Sequence, residues 1–165
     1  MKCRYLSIII YLILLNFPAN ANSILAVVNN KIITSYDVNK YQLNKDKYFD
    51  NESKINFLID SEIFLYEAKK SKIIVPEILL QMNLETIAKS NNLSMDEFIK
   101  NPEFQDIKEK INNTLIIEIF KKNLIDTAQL SMDSNLDFDK NKFLEEWVKS
   151  TKENYHIEIY YKNSI

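Results

Sequence analysis

The chain contains no glycine among its 165 residues, and that absence limits its folding options before any motif is considered. Glycine ordinarily takes the backbone positions with positive φ. Without it, left-handed positions at hairpin turns and helix ends fall to asparagine, which tolerates them best among the remaining residue types. The same absence excludes phosphate-cradling loops of the GxxxxGKS and GxGxxG kinds, whose glycines let backbone N–H groups approach the phosphates.

Residues 1–21 read as a cleavable secretory signal peptide. Lys2 and Arg4 place positive charge at the start, LSIIIYLILL at Leu6–Leu15 supplies an apolar run, and Pro18 with Ala19-Asn20-Ala21 forms a small-residue cleavage site. The run falls short of the roughly 20 residues that span a bilayer, so no stable membrane insertion is expected. Cys3, the sole cysteine, precedes the apolar run, which argues against a lipoprotein. Cleavage after Ala21 is expected to leave the mature chain outside the cytoplasm.

The mature chain then holds 144 residues, enough for one modest core. It carries 19 basic and 23 acidic side chains, a net charge of about −4 that speaks against a nucleic-acid partner. With no mature cysteine and one histidine, His156, thiol chemistry and the common zinc sites lack their ligands. We expect no metal and no cofactor.

Periodicity outlines a mainly α chain with a small β component. Ile24–Val28 and Ile32-Ile33 flank Asn29-Asn30-Lys31 as a β-hairpin. Thr34 and Asp37 form a capping-box spacing that opens a helix through Val38, Tyr41 and Tyr48. After the polar break at 50–53, Ile55, Leu58, Ile59, Glu62, Ile63 and Tyr66 recur at helical spacing to about Ser71, with Phe57, Phe64, Leu65 and Ala68 off that stripe. Pro76 opens a helix to about Ser90, Ser94 and Glu97 cap a short one, and Pro102 begins the longest, to about Ile125. Residues 126–139 read as a linker, 140–153 as a helix, and Tyr155–Tyr161 as a strand. About five helices thus lie between a hairpin and a lone strand. A two-stranded hairpin is marginal in water, so the C-terminal strand is predicted to pair back onto it.

In this order the segments resemble the SurA-type periplasmic chaperones, the family of the SurA N-terminal domain. The likeness is carried by AVVNNKIITSYDV behind a signal peptide, by Leu58–Ile63, by Ile74–Glu77, by Ile87–Phe98, by the helix with Ile111–Ile119, and by Phe143–Trp147 with Tyr155–Ile159. The resemblance implies a chaperone region at 22–125 and a closing helix and strand at 140–165 in the same domain. Family members usually carry parvulin-type prolyl isomerase domains where this chain has only the 126–139 linker, and those domains use histidines in a cleft and glycine-bearing loops, whereas this chain has no glycine and no histidine before His156. The resemblance therefore implies a non-enzymatic binder of unfolded outer-membrane proteins or other extended apolar and aromatic peptides.

A groove for such clients needs apolar side chains and adaptable methionines. Leu80, Met82, Leu84, Phe98, Ile117 and Phe120 are the peptide-binding candidates, with ordinary core as the competing reading for each. Tyr41, Tyr48, Tyr66, Tyr160 and Tyr161 pose the same choice, whereas Trp147 reads as an anchor of the closing helix and His156 as a strand-surface residue. The alternatives are a dedicated envelope adaptor or assembly subunit that recognises one partner, working as a homodimer with exchanged end segments, and a degenerate prolyl isomerase. N-terminal sequencing of the exported protein is expected to begin at Asn22; a chain that retains Met1 would contradict the leader reading.

Overall fold

The computed structural model describes residues 22–42, 50–131 and 138–160. The leader, Tyr48 and Tyr161 lie outside the described residues, as do the Tyr41 side chain and positions 132–137 of the expected linker. Among the described residues, three strands and six helices follow in chain order: β1 (Ile24–Val28), β2 (Lys31–Thr34), α1 (Ser35–Gln42), α2 (Asn51–Lys70), α3 (Glu77–Ser90), α4 (Met95–Ile99), α5 (Phe104–Leu130), α6 (Lys140–Lys152) and β3 (Ile157–Ile159). The sheet is antiparallel with order β2-β1-β3, so the C-terminal strand does pair onto the hairpin.

Asn29 is the hinge of that closure. It takes φ 51° in the two-residue turn, one of the left-handed positions that glycine would otherwise fill. Its N–H donates to the His156 carbonyl at 2.8 Å, and its Oδ1 accepts from the His156 N–H at 3.1 Å. The turn thereby fastens the entry to β3, after which Val28 faces Ile157 and Ala26 faces Ile159 across the β1–β3 ladder.

Asparagine does not take every left-handed position, as the sequence reading expected. Asn92 does so after α3, but Lys72 adopts φ 55° after α2. The two helix ends have the same hydrogen-bond pattern: Ile73 N–H donates to Ala68 O and Lys72 N–H to Lys69 O, while Leu93 N–H donates to Ala88 O and Asn92 N–H to Lys89 O. Each is a six-to-one bond enclosing a five-to-two bond, which satisfies carbonyls that the helix leaves without partners. Packing of Ile73 against the core holds Lys72 in a conformation that lysine alone disfavours.

Two helix starts are capped as the spacing predicts, whereas α3 begins just after Pro76 and α5 two residues past Pro102, both without a side-chain cap. The Thr34 N–H and hydroxyl both donate to Asp37 Oδ2, at 2.8 and 2.7 Å. Ser94 and Glu97 form a reciprocal capping box. Asp50 caps α2 by accepting from Ser53 N–H, so this helix begins inside the expected polar break.

Helix α2 is the spine, touching β1, β2, α1, α5 and α6. Enclosure on several sides accounts for its wide apolar arc: Ile55, Ile59, Ile63, Phe64 and Ala68 are all buried. Trp147 anchors α6 by stacking on the Phe64 ring at 5.1 Å and meeting Phe120 edge-on at 5.5 Å. Across the same interface, Lys152 Nζ lies 2.5 Å from Asp60 Oδ1.

Helix α5 continues to Leu130, beyond the expected end at Ile125 and into the stretch read as a linker. Nothing between Asp126 and Leu130 breaks a helix, and Lys122 Nζ pairs with Asp126 at 2.6 Å, one turn on. This helix serves two clusters. Ile116 and Phe120 join α2 and the sheet, whereas Leu115 joins Leu80, Leu84, Ala88, Phe98 and Phe104 under α3 and α4.

Two substitutions separate the contributions of Asn29. Asn29→Gly keeps the backbone conformation but removes the side-chain bond to His156, and is expected to cost about 1 kcal/mol. Asn29→Ala also introduces left-handed strain and is expected to cost about 2 kcal/mol. Urea unfolding of both variants checks the order; equal costs would contradict it.

Candidate functional site

The six sequence-derived candidates do not form one groove. Leu80 and Leu84, one turn apart on α3, face α5 and are buried with Phe98, which meets Phe104 edge-on at 5.5 Å. Met82 lies two positions from each, on the opposite side of the helix, and is 60% exposed. Ile117 is half-buried against the first cluster. Of the six, Phe120 lines an open surface depression, as a buried side chain at its floor.

That depression is an open groove of about 360 Å³ between the end of α2, the last turns of α5 and the start of α6. Along α5, Phe120, Leu124 and Ala128 form one wall ladder with a spacing of one turn, and Asn123, Thr127 and Ser131 form a second beside it. Ser71 and Ile73, placed by the left-handed turn at Lys72, line another side, and Phe143 of α6 completes it. None of these nine residues carries a charge. Thr127 Oγ1 donates to Asn123 O at 2.8 Å and Ser131 Oγ to Ala128 O at 2.7 Å, so both hydroxyl protons are used within the helix and the oxygens retain acceptor capacity.

The sequence reading missed this site because it ended α5 at Ile125, which left Thr127, Ala128 and Ser131 in a linker. The available signal was continuation of both ladders at four-residue spacing with no glycine or proline to interrupt them.

A second cavity of about 320 Å³ lies beside the hairpin turn and includes Lys31, Glu62, Tyr66, Lys69 and Tyr155. Tyr155 donates to Glu67 Oε1 at 2.8 Å and meets the Tyr66 ring edge-on at 5.5 Å. Burial, together with the Glu67 carboxylate, pushes the Tyr155 hydroxyl well above the usual phenol range. Burial likewise raises the Glu62 carboxyl, opposed by Lys31 at 4.0 Å and by Lys69, and reinforced by Asp37. A carboxylate within the apolar stripe of α2 was the sequence signal for this second cavity.

Elsewhere, His156 is exposed with Nε2 2.7 Å from Glu158 Oε1, and Tyr160 donates to the other Glu158 oxygen, so these polar groups share one face of the terminal strand. Tyr66 and Tyr160 are both partly open to solvent. Among the described residues, no group of histidine, cysteine, aspartate and glutamate is placed to hold a metal, and no helix is long and apolar enough to cross a membrane. Compared with known proteins, the chain matches no family model and no curated protein.

The raised Glu62 acid binds its proton more readily in the folded than in the unfolded chain. Stability from this group is therefore fully present below the ordinary glutamate range and is lost as pH rises through the folded value. Glu62→Gln is expected to raise the melting temperature at pH 7 by about 2–4 °C and to flatten its decline between pH 5 and 7. Thermal melts at the two pH values check this; a lower melting temperature for the variant at pH 7 would show that the ion pair with Lys31 outweighs burial.

Proposed function

We propose that this chain is an ATP-independent periplasmic chaperone of the SurA type, a holdase that binds unfolded, aromatic-rich segments of outer-membrane proteins and lacks prolyl isomerase activity. The observation that carries the reading is the open, uncharged groove along α5, in a chain with 27% charged residues overall. An apolar floor bordered by hydroxyl and amide groups suits clients that present large side chains beside unsatisfied backbone. The order of hairpin, helices and closing strand accords with the resemblance seen in the sequence.

A glycine-free chain without phosphate-binding loops also suits a binder that releases clients without nucleotide hydrolysis. Client folding removes the exposed apolar surface, at about 25 cal/mol per Å², and so removes the affinity. Ile78 and Met82, one turn apart on α3, are 75% and 60% exposed, and Ile74 just before the helix is 83% exposed; these side chains give clients a further apolar contact.

Dilution of urea-unfolded outer-membrane β-barrel proteins into buffer tests the proposal. A several-fold excess of the mature chain is expected to delay light scattering for several unrelated barrels, with no acceleration of proline isomerisation in a peptide substrate. No delay at that excess would sink the holdase reading, whereas saturable binding to one barrel alone would favour the dedicated adaptor.

A further inference from the structure

We propose that the α5 groove holds an extended, uncharged peptide segment of about five residues lying along the helix, with an aromatic side chain seated beside Ala128. The proposal rests on the chaperone reading and assigns its client-binding site.

Length comes first. From Phe120 to Ser131 the helix advances about 16 Å at 1.5 Å per residue, which matches about five residues of extended chain at 3.3 Å each.

The two ladders match the two needs of an extended chain. Its side chains alternate, so those directed at the groove meet Phe120, Leu124 and Ala128, with Ile73 and Phe143 opposite. Its backbone N–H groups require acceptors, which the Thr127 and Ser131 oxygens supply after donating their own protons to the helix backbone.

Charge selects the occupant further. The lining carries none, and on the adjoining face of α5 Lys122 and Asp126 neutralise one another. A charged client side chain would lose its hydration without gaining a partner. Side-chain size then sets the position of the anchor. The apolar ladder shrinks from phenylalanine through leucine to alanine, so the α5 wall projects least at Ala128, which is only half-buried and leaves room for a large client ring.

The test uses the mature chain and a fluorescein-labelled nine-residue peptide of alanine, serine and one central phenylalanine, read by fluorescence anisotropy. Ala128→Glu is expected to weaken binding at least tenfold, and replacing the peptide's phenylalanine by alanine to do the same. Gln105→Glu, exposed at the opposite end of α5, is expected to stay within twofold of the parent. Thermal melts confirm that each variant folds, since glutamate is a good helix former.

If Ala128→Glu leaves peptide binding unchanged while the parent still delays barrel aggregation, the groove assignment fails and the chaperone reading stands. If the parent neither binds the peptide nor delays aggregation, both fail. A dimer in sedimentation that Ala128→Glu dissociates would assign the groove to a second copy and overturn the proposal. Peptide binding gained only after Met132→Ser and Leu136→Ser would assign it to the chain's own 132–137 segment, with the same consequence.

Discussion

The structure depends on the reciprocal hydrogen bonding between Asn29 and His156, which joins residues 127 positions apart and brings the C-terminal strand to β1. Around it the sheet acquires its third strand, and the sheet gives α2 one of the surfaces against which it is buried. Neither end of the chain supports this alone, because a two-residue turn and a three-residue strand each have too few contacts to persist in water. The spine joins the two ends: Ile55, Ile59 and Ile63 lie beneath the sheet, while Phe64 receives Trp147 from the helix that leads into β3.

Charge is placed where it supports this arrangement. Lys152 meets Asp60 across the α2–α6 interface, and Lys121 lies over the Phe64 ring at 4.2 Å. Burial lowers the Lys121 ammonium below the ordinary lysine range, against the pull of Asp60 and Glu118. The polar groups at the closure thus carry a cost of burial, and the ring stack between Phe64 and Trp147 offsets it with apolar contact. The outer strands are short: β2 has four residues and begins with the exposed Lys31, and β3 has three and includes Glu158. Short, charged edges are poor templates for adding another strand, which favours the proposed groove on α5 over the sheet edges as the site for an extended client.

Much of the architecture was legible in the sequence because its signals are local. The Asn29-Asn30 turn, the Ser94 and Glu97 box and the period of α2 each depend on residues within a few positions of one another. Closure by β3 was inferred from the instability of unpaired strands, a physical requirement rather than a pattern. The site was less legible. Leu80, Leu84 and Phe98 are as apolar as any client-binding residue, and only their packing under α5 shows that they are core. Ala128 and Thr127 have no distinctive chemistry alone; a groove arises when α5 runs on past Ile125 and the turn at Lys72 sets Ile73 opposite. That turn was hidden because lysine is an unusual choice for a left-handed cap, retained here by the packing of Ile73 against the core.

The central claim is that the closed sheet and its spine form a fixed frame while clients occupy the groove on α5. Backbone hydrogen–deuterium exchange of the mature chain, with and without a saturating aromatic peptide, tests it most directly. Slowed exchange in Asn123–Ser131 and around Phe143, with the Ala26–Val28 ladder unchanged, is the expected result. Altered exchange in Ala26–Val28 and Ile157–Ile159, with α5 unaffected, would show that the client displaces the terminal strand and would contradict the account.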